Sequence, residues 1–175
     1  MLPEPAYISI GSNVDPARWL PPAVGRLRQL GDILGVSRVH QSPAYGSEDH
    51  PDFLNAAALV ATPMNPFEVR AKLREIESSL GRVRGSDKFA PRTIDLDLCL
   101  YGRLVLDGPD LVLPHPDVIE RAYVAGPLAE LDPDYRHPVT GETLASIASR
   151  LRAGSELTER PDIALVDRDG TRKID

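Results

Sequence analysis

A single cysteine, Cys99, in 175 residues excludes an intrachain disulfide and any cysteine-based zinc site, and it leads us to expect a reducing compartment. Positive charge is also short, with 20 Lys and Arg against 26 Asp and Glu and a formal net charge of −6. An acidic balance offers no general footing on nucleic acid or an anionic membrane, so an anionic ligand must be held by a local group of cations. No apolar run approaches the roughly 18 to 20 residues that span a bilayer, and Met1-Leu-Pro-Glu-Pro5 lacks the basic and apolar regions of a leader peptide. A cytoplasmic protein with no nucleic-acid and no membrane partner is expected. The sequence contains no Gly-x-x-x-x-Gly-Lys-Ser/Thr run, so a P-loop is excluded and phosphates need another grip. Internal repeats and low-complexity tracts are absent as well. What is present, 42% hydrophobic residues, is enough to fill one core and predicts a single domain, expected to be a monomer.

Alternation of apolar residues predicts a first strand over Ala6–Gly11. Pro21 and Pro22 cannot continue a helix from upstream, which predicts a helix starting there and running through Leu27 and Leu30. A second strand is expected over 33–41, then a loop over 42–51, then a third strand over 53–61 with Leu54, Ala56, Ala58 and Val60 on one face and Phe53 and Asn55 on the other. Asn65, Pro66 and Glu68 form a helix start signal for a stripe of Val69, Leu73, Ile76 and Leu80, ended at Gly81. After a polar loop over 82–91, a fourth strand over 92–101 buries Ile94, Leu96, Leu98 and Leu100 on one side. The order strand, helix, strand, strand, helix, strand predicts an α+β, ferredoxin-like sandwich with helices on one face of an antiparallel sheet. Further on, 104–113 suggests a short hairpin, and helices are expected over 117–131 and 142–151. The charged segment 152–175, in which only 163–166 could pair, is expected to be a loosely attached tail.

Asp95 and Asp97 stand two apart on the fourth strand, so their carboxylates share the face opposite the leucines. At an effective dielectric near 20, two carboxylates about 5 Å apart repel by roughly 3 kcal/mol, which favours a cation between them. Magnesium fits, because it takes one or two carboxylates and completes its shell with phosphate oxygens. The preceding loop concentrates Arg82, Arg84, Lys88 and Arg92 in an acidic chain, and arginine forks match phosphate oxygens. Glycines at 81 and 85 would let that loop close over a ligand. A solvated Asp-x-Asp face and an ordinary surface charge run remain alternative readings of the same residues.

Phe89-Ala-Pro-Arg-Thr-Ile-Asp-Leu-Asp-Leu98 closely resembles the signature of 6-hydroxymethyl-7,8-dihydropterin pyrophosphokinases. Tyr7-Ile-Ser-Ile-Gly-Ser-Asn13, Pro51-Asp-Phe-Leu-Asn-Ala56, Leu80-Gly-Arg-Val-Arg84, Leu113-Pro-His-Pro116 and Glu120-Arg-Ala-Tyr123 extend the likeness, in order, over roughly residues 6 to 145. The resemblance implies a pterin pyrophosphokinase domain over 1–151, followed by the tail, that uses ATP and two magnesium ions held by Asp95 and Asp97. It implies attack of the pterin alcohol on the β-phosphorus of ATP, with Arg82 and Arg92 aiding transfer. By the same likeness Glu77, Arg84, His115 and Arg121 contact ATP, while Gly11, Ser42, Pro43, Ala44, Phe53, Asn55, Phe89 and Tyr123 form the pterin side. An aromatic beside an amide on one strand face, Phe53 with Asn55, independently suits a flat heterocycle with a hydrogen-bonding edge. Phe89 departs from the family's usual tryptophan and Lys88 from its arginine, the latter losing the bidentate fork. Two rivals share the fold: a palm-type nucleotidyltransferase, which explains the aspartates but not Phe53 and Asn55, and a non-catalytic ligand-binding module, which explains neither the aspartates nor Arg92.

Overall fold

Period-two burial runs down β1 (Glu4–Ser12), where Ala6, Ile8 and Ile10 are buried on one face and Tyr7 on the other. The computed structural model describes residues 2–46 and 48–165. α1 (Pro16–Arg26) begins earlier than expected and carries Pro21 and Pro22 inside it. Leu20, Ala23, Val24 and Leu27 recur at helical spacing and are all buried. This apolar face outweighs the missing backbone bonds, because both prolines and the residues four back, Ala17 and Arg18, lie on the exposed side.

Where one strand was expected over 33–41 there are two, β2 (Asp32–Val36) and β3 (His40–Ser42), both paired with β4 (Phe53–Thr62). Ser37 makes the break: its N–H donates to Ala57 O at 2.9 Å and its Oγ accepts from Ala57 N at 2.8 Å, so a side chain replaces the ladder carbonyl. α2 (Pro66–Ser79) starts on the expected capping box, with Asn65 Oδ1 accepting from Phe67 N and Glu68 N and Glu68 Oε2 accepting from Asn65 N. β5 (Asp95–Tyr101) follows, beginning at the first aspartate instead of Arg92, and β6 (Leu106–Asp107) and β7 (Val112–Leu113) form the expected hairpin.

The helix expected over 117–131 is split into α3 (Asp117–Glu120) and α4 (Ala122–Leu131), because Arg121 between them is extended. α5 (Leu144–Arg152) is capped by Thr143 Oγ1, which accepts from Ser146 N. The expectation of a loose tail from 152 onward is corrected over its described part. β8 (Thr158–Glu159) pairs with β3, Arg160 N–H donates to Val39 O at 2.8 Å, and Leu165 is 3% exposed in the main core. Pairing falls at 158–159, residues 163–165 form no strand, and Val166–Asp175 lies outside the described residues.

The sheet runs β5-β1-β4-β3-β8, with β2 also beside β4, and every pairing is antiparallel. This is the expected ferredoxin-like succession, but helices cover both faces. α1 and α2 pack on Ile8, Ile10, Ala58 and Leu98, while α4 and α5 pack on the opposite face over Tyr7, Ala57 and Cys99. Cys99, read as a small packing residue, is buried there. Helices cover only one end of that second face, because strand register puts two rows of polar residues at the other. Asp95, Gly11, Asn55 and His40 lie side by side in one row, and Asp97, Ser9 and Ala57 in the next. Among the described residues no helix is long and apolar enough to cross a membrane.

Candidate active site

Asp95, Gly11 and Asn55 of the first row and Asp97 and Ser9 of the second floor a cavity of about 220 Å³ walled by Phe53, Phe89, Tyr45, Tyr123, Ser42 and Pro43. Gly11 lies on the floor beside Phe53 and Asn55, where a Cβ would sit in ordinary contact, 3.5 Å from the Phe53 ring and 3.7 Å from Asn55 Oδ1. Asn55 is buried and donates from Nδ2 to Ser42 Oγ at 2.9 Å, which fixes its amide and leaves Oδ1 for a ligand. A second cleft, of about 450 Å³, opens beside the first and gathers Arg70, Arg74, Arg82, Arg84 and Arg92 against Leu96, Leu98 and the β6–β7 hairpin. Arg92, Asp95, Asp97 and His115 line both spaces. A flat polar–aromatic cavity therefore meets a cationic cleft at the aspartate pair.

The two aspartates stand in different fields. Asp95 accepts from Arg82 Nη1 at 2.6 Å and from Arg92 Nη1 at 2.7 Å. Burial pushes its carboxyl up, but the two guanidiniums outweigh burial and hold it below the usual carboxylate range. Asp97 makes no ion pair among the described residues, and burial followed by repulsion from Asp95 and Glu77 pushes its carboxyl up to about 7. A half-buried carboxylate lacking a cation beside one already held by cations is a donor set that fits a hard divalent ion. Among the described residues no group of three or more His, Cys, Asp or Glu that could hold a metal is found.

Several expected residues act from behind the cavity walls. Glu77 is 1% exposed and lines neither space. Its Oε1 accepts from Arg82 Nη1 at 2.7 Å and from Leu96 N at 2.8 Å, and its Oε2 accepts from Arg84. Arg82 thus spans Glu77, Ile94 O and Asp95, tying α2 to the start of β5. Burial raises the Glu77 carboxyl against the pull of Leu96 N–H and Arg82. Arg121 also lines neither space and stacks over Tyr45 instead, and Ala44 lies just outside the smaller cavity. His115 accepts from Asp117 N at its Nδ1, which leaves Nε2 as the donor. The loop expected to close over a ligand is anchored at its end by Asn13, whose Oδ1 accepts from Arg92 N at 2.8 Å.

Tyr45, Arg70 and Arg74 line the site but were not anticipated. Arg70 and Arg74 are one helical turn apart on the polar side of α2, a spacing visible in the sequence yet identical to that of a solvated face. Tyr45 is a lone aromatic in a loop, with no periodicity to mark it.

The fold and site define an α+β class of protein in which a polar–aromatic cavity and a cationic cleft meet at paired carboxylates. The model of the 7,8-dihydro-6-hydroxymethylpterin-pyrophosphokinase (HPPK) family matches residues 7–133, and the chain belongs to that family. It is 40% identical over 129 residues to the 2-amino-4-hydroxy-6-hydroxymethyldihydropteridine pyrophosphokinase of Bacillus subtilis, covering 72% of this chain and 77% of that protein. It is 37% identical over 150 residues to the folic acid synthesis protein fol1 of Pneumocystis carinii, covering 85% of this chain and 20% of that protein. The crystal structure of Plasmodium falciparum HPPK-DHPS wild type with pteroate superposes with a TM-score of 0.69 at 14% identity, over 84% of this chain and 42% of that one, a likeness of fold. The chain thus spans a fifth of the fungal protein and less than half of the Plasmodium one.

Proposed function

We propose that this chain transfers pyrophosphate from ATP to the hydroxymethyl group of 6-hydroxymethyl-7,8-dihydropterin, giving AMP and the pterin diphosphate for folate synthesis, as a cytoplasmic monomer. The observation that carries the reading is the shared wall: Arg92, Asp95, Asp97 and His115 face both the aromatic cavity and the arginine cleft. A pterin in the first space and a triphosphate in the second would meet at the carboxylates. Phe53 and Tyr123 offer faces to the pterin ring, and Asn55 offers Oδ1 to its hydrogen-bonding edge. The cleft's arginines grip the phosphates that an acidic chain would otherwise repel.

In the reaction the pterin hydroxyl oxygen bonds to the β-phosphorus and gives up its proton to solvent, the bond from that phosphorus to the α,β-bridging oxygen breaks, and AMP leaves with that oxygen. Asp95 and Asp97 would hold two magnesium ions, which when bound supply neutralisation of the charge that builds on the transferred and bridging oxygens. Arg82 and Arg92 hold the Asp95 oxygens in this structure and both line the cationic cleft, where their remaining N–H groups would meet phosphate oxygens. Incubation with magnesium, ATP and 6-hydroxymethyl-7,8-dihydropterin tests the reading directly. AMP formed only when pterin is present supports it; release of inorganic pyrophosphate, or no turnover, contradicts it.

A further inference from the structure

Asp117 has no part in the reading so far, although it lines the smaller cavity and not the arginine cleft. Two anchors fix it there. His115 N–H donates to Cys99 O at 2.8 Å, which ties the turn before α3 to β5 two residues beyond Asp97. Val118, the residue after Asp117, is fully buried in the core of the second sheet face. Asp117 is thereby held at the wall between a strand contact and a core contact. Burial and then the Asp117 charge push the Tyr123 hydroxyl, on the same cavity wall, up to about 12.

An alcohol that attacks phosphorus must lose its proton, and the carboxylates and imidazole lining the cavity are the groups suited to take it: Asp95, Asp97, Asp117 and His115. Three of them are engaged. Asp95 has its two oxygens bonded to Arg82 and Arg92, and the pterin reading commits both Asp95 and Asp97 to cations. His115 Nδ1 accepts from Asp117 N at 3.2 Å, so its remaining nitrogen carries the proton. Asp117 is different. His115 Nδ1 and Arg121 Nε both stand 3.9 Å from its oxygens, beyond hydrogen-bond reach, and among the described residues neither oxygen accepts a hydrogen bond. Its side chain is 33% exposed, so water can reach it. We propose that Asp117 is a catalytic residue, the general base that takes the proton of the pterin hydroxyl as that oxygen bonds to the β-phosphorus. The O–H bond breaks toward an Asp117 oxygen, directly or through one water, and the α,β-bridging oxygen leaves with AMP and the electron pair of its broken bond. The carboxylic acid then returns the proton to solvent. The inference rests on the pterin reading above and names the carrier of the proton which that reading passes to solvent.

Wild type, Asp117→Asn and Asp117→Ala would be compared by rapid-quench single turnover with magnesium and ATP, which reads the chemical step apart from product release. Calorimetric titrations with 6-hydroxymethylpterin and with α,β-methylene-ATP, each in magnesium, read the two affinities, and thermal unfolding reads the fold. Asp117→Asn keeps the shape and the backbone N–H on His115, and it is expected to slow the chemical step about 100-fold with both affinities within about threefold of wild type. Added formate should restore turnover to Asp117→Ala in proportion to its concentration, because it supplies a carboxylate to the vacated space. It should not restore Asp117→Asn, whose amide fills that space. A chemical step in Asp117→Asn within about threefold of wild type, an affinity loss as large as the rate loss, or no effect of formate on Asp117→Ala would overturn the inference and leave the proposed function standing. A wild-type protein that forms no AMP with pterin present would overturn both.

Discussion

Asp95 and Asp97 share one face of β5 and stand one row apart, yet one is neutralised by two arginines and the other is not. That asymmetry places Asp97 among residues kept for function at a cost in stability. Asp97→Asn is expected to raise the melting temperature of the metal-free protein, because it removes a half-buried charge that is repelled by Asp95 and Glu77. The same variant should lose turnover by about 1000-fold or more, since cation clamping of a transferring phosphoryl group is worth several kcal/mol. Paired melting curves and AMP assays check both halves; a variant that is less stable and fully active would contradict the assignment. The aspartates were legible in the sequence because a period of two settles which side chains share a face. Glu77 was not, because its place beside the apolar stripe of α2 does not show that Leu96 N–H, Arg82 and Arg84 converge on it from elsewhere in the chain.

At the scale of elements, α1 and α4 show tertiary contacts deciding what local preference leaves open. α1 tolerates Pro21 and Pro22 in its interior because its buried face compensates. Pro21→Ala is therefore expected to stabilise the protein by about 1–3 kcal/mol, from an intrinsic penalty of about 3 kcal/mol for proline inside a helix. Urea midpoints would show it, and destabilisation would mean that α1 depends on the ring. α4 is tied to the sheet edge by Glu130, which bonds His40 Nε2 at 2.5 Å and accepts from Arg38 N at 3.0 Å and Arg38 Nε at 3.3 Å. Burial pushes the Glu130 carboxyl up, but His40 and Arg38 together outweigh it and hold the carboxyl below its ordinary value. A carboxylate depressed on folding contributes stability that is complete above its unfolded pKa, about 4.3 for Glu, and is lost as pH falls through the folded value. Wild type should therefore lose stability below about pH 4.3 more steeply than Glu130→Gln, as read from denaturant midpoints across pH 3 to 7. Parallel curves would show that the tie adds nothing.

In the whole molecule, the segment after α5 returns to the far edge of the sheet. It adds β8 to β3 and buries Leu165 beside the core. Leu165→Ala is expected to cost about 2–5 kcal/mol, the usual loss for a fully buried leucine. A change within about 0.5 kcal/mol, as at an ordinary surface position, would return this segment to the status of a tail. The charge and scant apolar content of 152–175 concealed this anchoring, because two backbone pairs and one buried leucine leave no periodic trace. Sequence by itself determined β1, β4, α2 with its capping box, and the aspartate pair on β5, since each follows from spacing along a short stretch. Leu100, expected beside Leu98, instead packs on the second face with Tyr7, because the pairing of β1 with β5 shifts register between Tyr7 and Ile8. The tertiary structure alone decided that α4 and α5 cover one end of the second sheet face and leave the other end open, and that Tyr45, Arg70 and Arg74 come to the site. Those outcomes depend on the register of strands and on loops distant in the chain, which no local period encodes.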